Sequence, residues 1–210
     1  MRRGAGDGRA RVAILISGAG SNMAALADAM RAPDFPAVPA LVLADRADAG
    51  GIEKARRRKL PVAVVDRRGY TKDRASFEAE LLARLADAEA DLVCLAGFMR
   101  ILSPGFVAMW RGRILNIHPS LLPLFPGLDT HARALAAGVA VHGCTVHEVT
   151  EELDAGPIIA QGAVPAVEAD TPDSLAARVL LMEHRLYPEA LRRVARGDRR
   201  RFALFHETGA

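Results

Sequence analysis

With 210 residues the chain can bury a sizeable core, as one large domain or two tightly joined halves. Its 50% hydrophobic and 25% charged content is ordinary for a globular protein, and no apolar run approaches the ~18 residues needed to span a bilayer. The net charge of +3 and pI near 9.2 leave an anionic small substrate open, but the arginines gathered near the two ends have no interleaved aromatic residues, so they read as solvated tails and not as a nucleic-acid surface.

The opening "MRRGAGDGRARVAILISG" places basic residues ahead of an apolar run, the order of a signal peptide. The run "VAILI" is shorter than the ~7–15 residues of a signal core and leads into a glycine loop. Residues 1–10 therefore read as a flexible Gly/Arg-rich extension and the protein as cytoplasmic, with 11–210 as a single domain. The run "RVAILIS" (11–17) predicts a strand buried on both faces, and "NMAALADAMRA" (22–32) has helical apolar spacing. Next come a strand at 38–45, a helix at 51–59, a strand at 61–66, an amphipathic helix at 72–88 and a strand at 91–97. Ser103 and Pro104 read as N-cap and first position of a short helix, and "RILNIH" (113–118) closes the series as a strand. A Pro/Leu/Gly loop (119–128) and a helix near 130–137 precede two apolar-alternating runs, 143–149 and 157–164, expected to pair antiparallel. Thr171-Pro172 starts a last long helix to about Arg185, which "YPEALRRVARG" continues after a proline break. The expected fold is α/β: an open, doubly wound, mostly parallel Rossmann-like sheet flanked by helices and extended by antiparallel strands in the C-terminal half. Cys94 and Cys144 lie in strand-like runs without CxxC spacing and read as core thiols.

Ligands of open α/β sheets sit outside the carboxyl ends of the strands. Three strand ends carry "SGAGSN", "AGFMRIL" and "NIHPSLLP", and they are expected to face one crevice. In "SGAGSN" (17–22) the glycines permit close backbone approach, and the helix N-terminus offers free N–H groups to an anion. It lacks the GxGxxG and Walker A patterns, so a monophosphate suits it better than a dinucleotide; the alternative is a tight turn with Ser21 or Asn22 capping the helix. Side chains alternate along a strand, so Asn116 and His118 share one face while Leu115 and Ile117 take the other. Asp154 lies in an acidic segment that reads either as a solvated loop or as the carrier of a carboxylate back to His118, where it would orient the ring and favour its charged form. His147 reads as a core or edge histidine. The six histidines show no HxxxH or HxH metal spacing. Asn, His and Asp without a paired Ser or Cys nucleophile point to oxyanion stabilisation and proton handling during direct attack of one substrate on another, an acyl-type transfer with one phosphorylated partner.

The ordered set "LISGAGSN", "LAGFMRILSP", "ILNIHPSLLP", "FPGLDTH", "HGCTVHEVTEELDAGPII" and "MEHRLYP" closely resembles the phosphoribosylglycinamide formyltransferases, folate-dependent enzymes of purine synthesis, over residues 11–188. The resemblance implies transfer of a formyl group from 10-formyltetrahydrofolate, a co-substrate, to the glycinamide amine of the ribonucleotide, with no metal. It implies a nucleotide-binding half at about 11–110 and a folate and catalytic half at about 111–190. The family's catalytic asparagine, histidine and aspartate fall on Asn116, His118 and Asp154, and its phosphate-side loop on Gly20, Ser21 and Asn22. Its substrate-binding glutamate falls on Glu183. Folate-side positions fall on Met99, Arg100, Ile101, Leu102 and Asn116, with the 150–154 loop around the pterin, and the formylfolate-contacting arginine on Arg74, in a divergent segment that also holds Arg67 and Arg68. Leu124 and Cys144 depart from the family pattern without touching the catalytic positions. Small-molecule substrates are implied, without nucleic acid or membrane, in a monomer or homodimer. Of the rivals, methionyl-tRNA formyltransferase would need a further C-terminal RNA-binding domain. Formyltetrahydrofolate hydrolase usually carries an N-terminal regulatory domain, and a non-catalytic nucleotide-binding module would not need an intact Asn/His/Asp set.

Overall fold

The computed structural model describes residues 8–71 and 73–206. Residues 1–7 of the expected N-terminal extension lie outside the described residues, as does Lys72, the expected first residue of the third helix. The fold is α/β, with eight strands in a mixed, mostly parallel sheet. The chain divides into two compact units, Met1–Leu115 and Asn116–Ala210.

The first unit contains strands β1 (Ala10–Ile16), β2 (Ala37–Ala44), β3 (Val62–Val64) and β4 (Leu92–Leu95) in the order β3-β2-β1-β4, all pairs parallel. Helices α1 (Ser21–Ala29), α2 (Gly51–Arg57), α3 (Arg74–Asp87) and α4 (Pro104–Met109) alternate with the strands. Central β1 is apolar almost throughout because helices cover both faces of such a sheet, and Val12 to Ile16 are fully buried. In α3 the Asp73 carboxylate accepts the Ser76 N–H at 2.9 Å as an N-cap, and Phe77, Leu81 and Leu85 recur every fourth residue on the buried face. Each such side chain contributes roughly 1.5–3 kcal/mol on burial. Ser103 caps α4 as its sequence predicts, its hydroxyl accepting the Phe106 N–H at 3.2 Å with Pro104 behind it.

Strand β5 (Ile114–His118) runs from the first unit into the second. The second unit then holds α5 (Thr130–Ala136), β6 (Val141–Glu148), β7 (Ile158–Pro165), α6 (Pro172–Ala195) and β8 (Phe202–Phe205). β6 and β7 pair antiparallel, as expected, with a register irregularity between Val146 and His147. Two expectations are corrected. α6 does not break at its proline: it is continuous over 24 residues with Pro188 inside. Pro188 removes one backbone donor, but Leu186, Tyr187, Ala190 and Leu191 around it are fully buried, and their packing carries the helix through. The C-terminal stretch read as a solvated basic tail contains β8, which pairs parallel to β7. The Arg193 guanidinium lies 3.8 Å over the Phe202 ring, so the arginine there covers an aromatic face. No helix among the described residues is long and apolar enough to cross a membrane.

Candidate functional site

Two regions carry the candidate residues, one in each unit. In the first unit, β1 ends at Ile16 and the loop 17–20 leads into α1. Gly20 is the N-cap with φ 69°, a left-handed conformation, and no side chain caps the helix; Ser21 and Asn22 are already helical. The capping alternative is therefore set aside. A Cβ on Gly20 would lie 2.6 Å from the Gly51 Cα, so glycine is required there for backbone packing as well as for φ. The loop is held by Gly51 N–H donating to the Gly18 carbonyl (3.0 Å), Ser17 N–H to the Gly97 carbonyl (3.1 Å) and Met99 N–H to the Ser17 hydroxyl (2.8 Å). With no acidic residue in the first turn of α1, the positive end of the helix dipole faces a cavity of about 320 Å³. Residues 17–22, Asp45, Arg46, Arg67, Ala96, Gly97 and Met99 line that cavity.

Met99 and Ile101 are 69% and 68% exposed, Arg100 is exposed and Leu102 is buried. Arg74 is engaged: its Nη2 donates to the Ile101 carbonyl at 2.7 Å and its Nε to Glu78 at 3.0 Å. Glu78 in turn accepts the Ser103 N–H at 2.7 Å and its hydroxyl. Arg74 thus ties α3 to the 99–103 segment.

In the second unit the sequence builds a buried polar cluster. Ile117 is buried on one face of β5, leaving Asn116 and His118 on the other, and Pro119 follows. His118 Nε2 lies 3.1 Å from the Phe125 carbonyl, which can only accept, so Nε2 carries a hydrogen. His118 Nδ1 faces Asp154 Oδ2 at 3.5 Å, with both side chains 7% exposed. Asp154 has φ 54° and also accepts the Gly127 N–H at 2.9 Å, so backbone conformation and a hydrogen bond both aim its carboxylate. Its other oxygen is 3.9 Å from His147 Nε2. The loop therefore brings its carboxylate to His118, the second of the two readings its sequence left open.

His147 does more than fill an edge position. Its Nδ1–H donates to the Glu148 carbonyl at 2.9 Å, which leaves Nε2 as an acceptor for the Asn116 amide at 3.2 Å. That contact sets which way the Asn116 amide points. Burial lowers the His147 pKa, against smaller opposing contributions from the Glu148 carbonyl and Asp154, and the neutral ring is the form this bonding pattern needs. Alternation on β6 marked His147 as a core or edge histidine, but nothing in its neighbours linked it to Asn116. Glu183 is buried on α6, and its charge, after burial, raises the pKa of the Cys144 thiol. Both cysteines are buried thiols. Among the described residues no group of three or more His, Cys, Asp or Glu side chains is placed to hold a metal ion.

The formyl transferase family model matches residues 10–191. The chain belongs to the formyl transferase family. Among relatives, it is 44% identical to phosphoribosylglycinamide formyltransferase of Escherichia coli over 177 residues, which is 84% of this chain and 83% of that one. It is 49% identical over 189 residues to the trifunctional purine biosynthetic protein adenosine-3 of Bos taurus, covering 90% of this chain but spanning only 19% of that relative's length. The crystal structure of phosphoribosylglycinamide formyltransferase from Brucella melitensis matches at 55% identity and a TM-score of 0.86, over 89% of this chain and 96% of that one. The α/β architecture of this chain is thus the one found in a solved structure it resembles at 55% identity.

Proposed function

We propose that the chain transfers the formyl group of 10-formyltetrahydrofolate to the amine of phosphoribosylglycinamide, giving phosphoribosyl-N-formylglycinamide and tetrahydrofolate in de novo purine synthesis, in the cytoplasm. The observation that carries the reading is the Asn116, His118 and Asp154 cluster, with His118 Nδ1 on the Asp154 carboxylate at 3.5 Å, in a chain of the formyl transferase family.

The amine attacks the formyl carbon and negative charge develops on the formyl oxygen. Asn116 has two amide hydrogens; one goes to His147, and the other serves the oxyanion. His118 contributes its Nε2–H, which exchanges the Phe125 carbonyl for the reacting group and then protonates the folate nitrogen as its bond to the formyl carbon breaks. Asp154 holds the imidazolium and takes up, through water, the proton lost by the attacking amine. One proton leaves nitrogen and one arrives at nitrogen, so the transfer balances without a covalent enzyme intermediate.

For binding, Gly20, Ser21 and Asn22 receive the ribonucleotide phosphate on backbone N–H groups, and Glu183 serves the same substrate. Met99, Arg100, Ile101, Leu102 and Asn116 take the folate. The exposed Met99 and Ile101 side chains, two positions apart, support an apolar contact for a flat ring. Arg74 contacts the formylfolate as well, from a half-exposed side chain that also fixes the Ile101 carbonyl of this segment. The test is formyl transfer measured with the ribonucleotide and formylfolate, with formate release to water as control. Formate release equal with and without ribonucleotide would identify a hydrolase instead.

A further inference from the structure

Asp45 directly follows β2 and lines the first unit's cavity together with the 17–22 loop, Arg46 and Arg67. The residue is 0% exposed, and neither carboxylate oxygen has a hydrogen-bond partner among the described residues. A buried carboxylate without hydrogen bonds is costly to keep, and such groups persist where they hold a partner or a ligand. The Asp45 Oδ2 ion pair runs to Arg67 Nε at 3.7 Å, close enough for charge to act but too long for a hydrogen bond.

Arg46 and Arg67, which line this cavity, and Arg68 next in the chain differ in how far their donors are used. Arg46 makes two hydrogen bonds to Asp48, at 3.0 and 2.8 Å. Arg68 grips Asp66 in the same two-pronged way, at 2.9 and 2.6 Å. Arg67 has a buried Nε with no hydrogen-bond partner among the described residues, on a side chain 40% exposed. Its stem is anchored by charge at the cavity wall while its guanidinium donors are unspent. A guanidinium fork matches phosphate oxygens geometrically, and anchoring it beforehand lowers the entropy lost when the ligand arrives.

We infer that Arg67, held in place by Asp45, is a phosphate-recognition residue that joins the N–H groups of the 17–22 loop in taking the ribonucleotide's phosphate dianion. This rests on the reading of that loop as the phosphate site. Asp45 acts through Arg67 and is a positioning residue.

The test uses the full chain and two readouts, steady-state KM for each substrate and calorimetric titration with inorganic phosphate. Arg67→Met is expected to raise the ribonucleotide KM by about ten- to a hundredfold, as for loss of hydrogen bonds to a charged group, with kcat and the formylfolate KM little changed. Phosphate affinity falls in parallel, and the rise of ribonucleotide KM with salt becomes shallower. Arg67→Lys restores part of the affinity because it keeps the charge. Asp45→Asn raises the same KM by a smaller factor, and Arg46→Met, whose arginine is already tied to Asp48, changes it less than Arg67→Met does. An unchanged ribonucleotide KM and phosphate affinity in folded Arg67→Met and Arg67→Lys would overturn the inference, as would equal changes in both substrates' KM. If the wild type shows no ribonucleotide turnover, the proposed function fails; phosphate binding that depends on Arg67 still upholds this inference, and a wild type that binds no phosphate overturns it.

Discussion

The glycine-loop cavity of the first unit and the imidazole–carboxylate cluster of the second are built from different material. The loop presents mainly backbone N–H groups, so its chemistry is a matter of shape: φ at Gly20, and the close approach of Gly20 to Gly51. The cluster presents side chains whose roles are set by proton positions, with Asp154 between two imidazoles and His147 fixing an amide. All six histidines of the chain also lie beyond residue 115. Substitutions in the first region should therefore act on folding and substrate affinity, and those in the second on turnover and on the response to pH.

The largest effect is expected in the cluster. His118→Ala should lower kcat by about 10²–10³-fold, the range for loss of one pre-organised oxyanion donor, with both KM values moving far less. Asp154→Asn should be comparably severe, and the double variant should add little, because groups that act as a unit are not additive. Fully additive losses in that four-enzyme cycle would show that the pair does not act together.

Acid should probe the second unit next. Burial lowers the His142 pKa to about 4, with the nearby His131 charge adding to it; the rings lie 5.3 Å apart. Above about pH 6.5 the ring is neutral in both folded and unfolded chains, and its contribution is fully present. As pH falls from there to about 4, the unfolded chain takes up a proton that the folded chain refuses, so stability is lost, by at most about 3 kcal/mol. His142→Gln should flatten the urea-midpoint profile across that window; an unaltered slope would assign the acid sensitivity elsewhere.

In the first region, Gly20→Ala should lower stability by about 1–3 kcal/mol, because a Cβ meets the Gly51 backbone and φ 69° disfavours it. Thermal unfolding measures this, and it explains why a raised ribonucleotide KM in such a variant would not by itself locate the phosphate. An unchanged midpoint would mean that α2 can move aside. The smallest effect is expected at His147. Replacing it with leucine removes the acceptor for the Asn116 amide, and kcat should fall about tenfold, the value of one hydrogen bond of about 1.4 kcal/mol, with the melting point nearly kept. A loss as large as that of His118→Ala would give His147 a direct chemical role.

Much of the architecture was legible in the chain because it rests on short-range periodicity. The buried run 11–17, the fourfold spacing of Phe77, Leu81 and Leu85, the Ser103-Pro104 cap and the shared face of Asn116 and His118 each follow from a few neighbouring residues. β8 and the uninterrupted α6 were not legible, since one is decided by pairing with β7 and by Arg193 stacking on Phe202, and the other by packing that outweighs a lost donor at Pro188.

Local pattern sets the alternation of strands and helices, the glycine loop opening α1, and the placing of an amide and an imidazole side by side at the end of β5. What those groups meet depends on contacts distant in the chain. Asp154 reaches His118 through a left-handed residue and a hydrogen bond from Gly127; His147 turns the Asn116 amide from 31 residues away; Arg74 bonds Glu78 and the Ile101 carbonyl; and Arg67 is held by a carboxylate buried at the end of β2. A residue's periodic environment is written in its neighbours. Its hydrogen-bond partner is chosen by burial, which pairs polar groups across any chain distance because leaving them unpaired away from water costs more than the contact itself contributes.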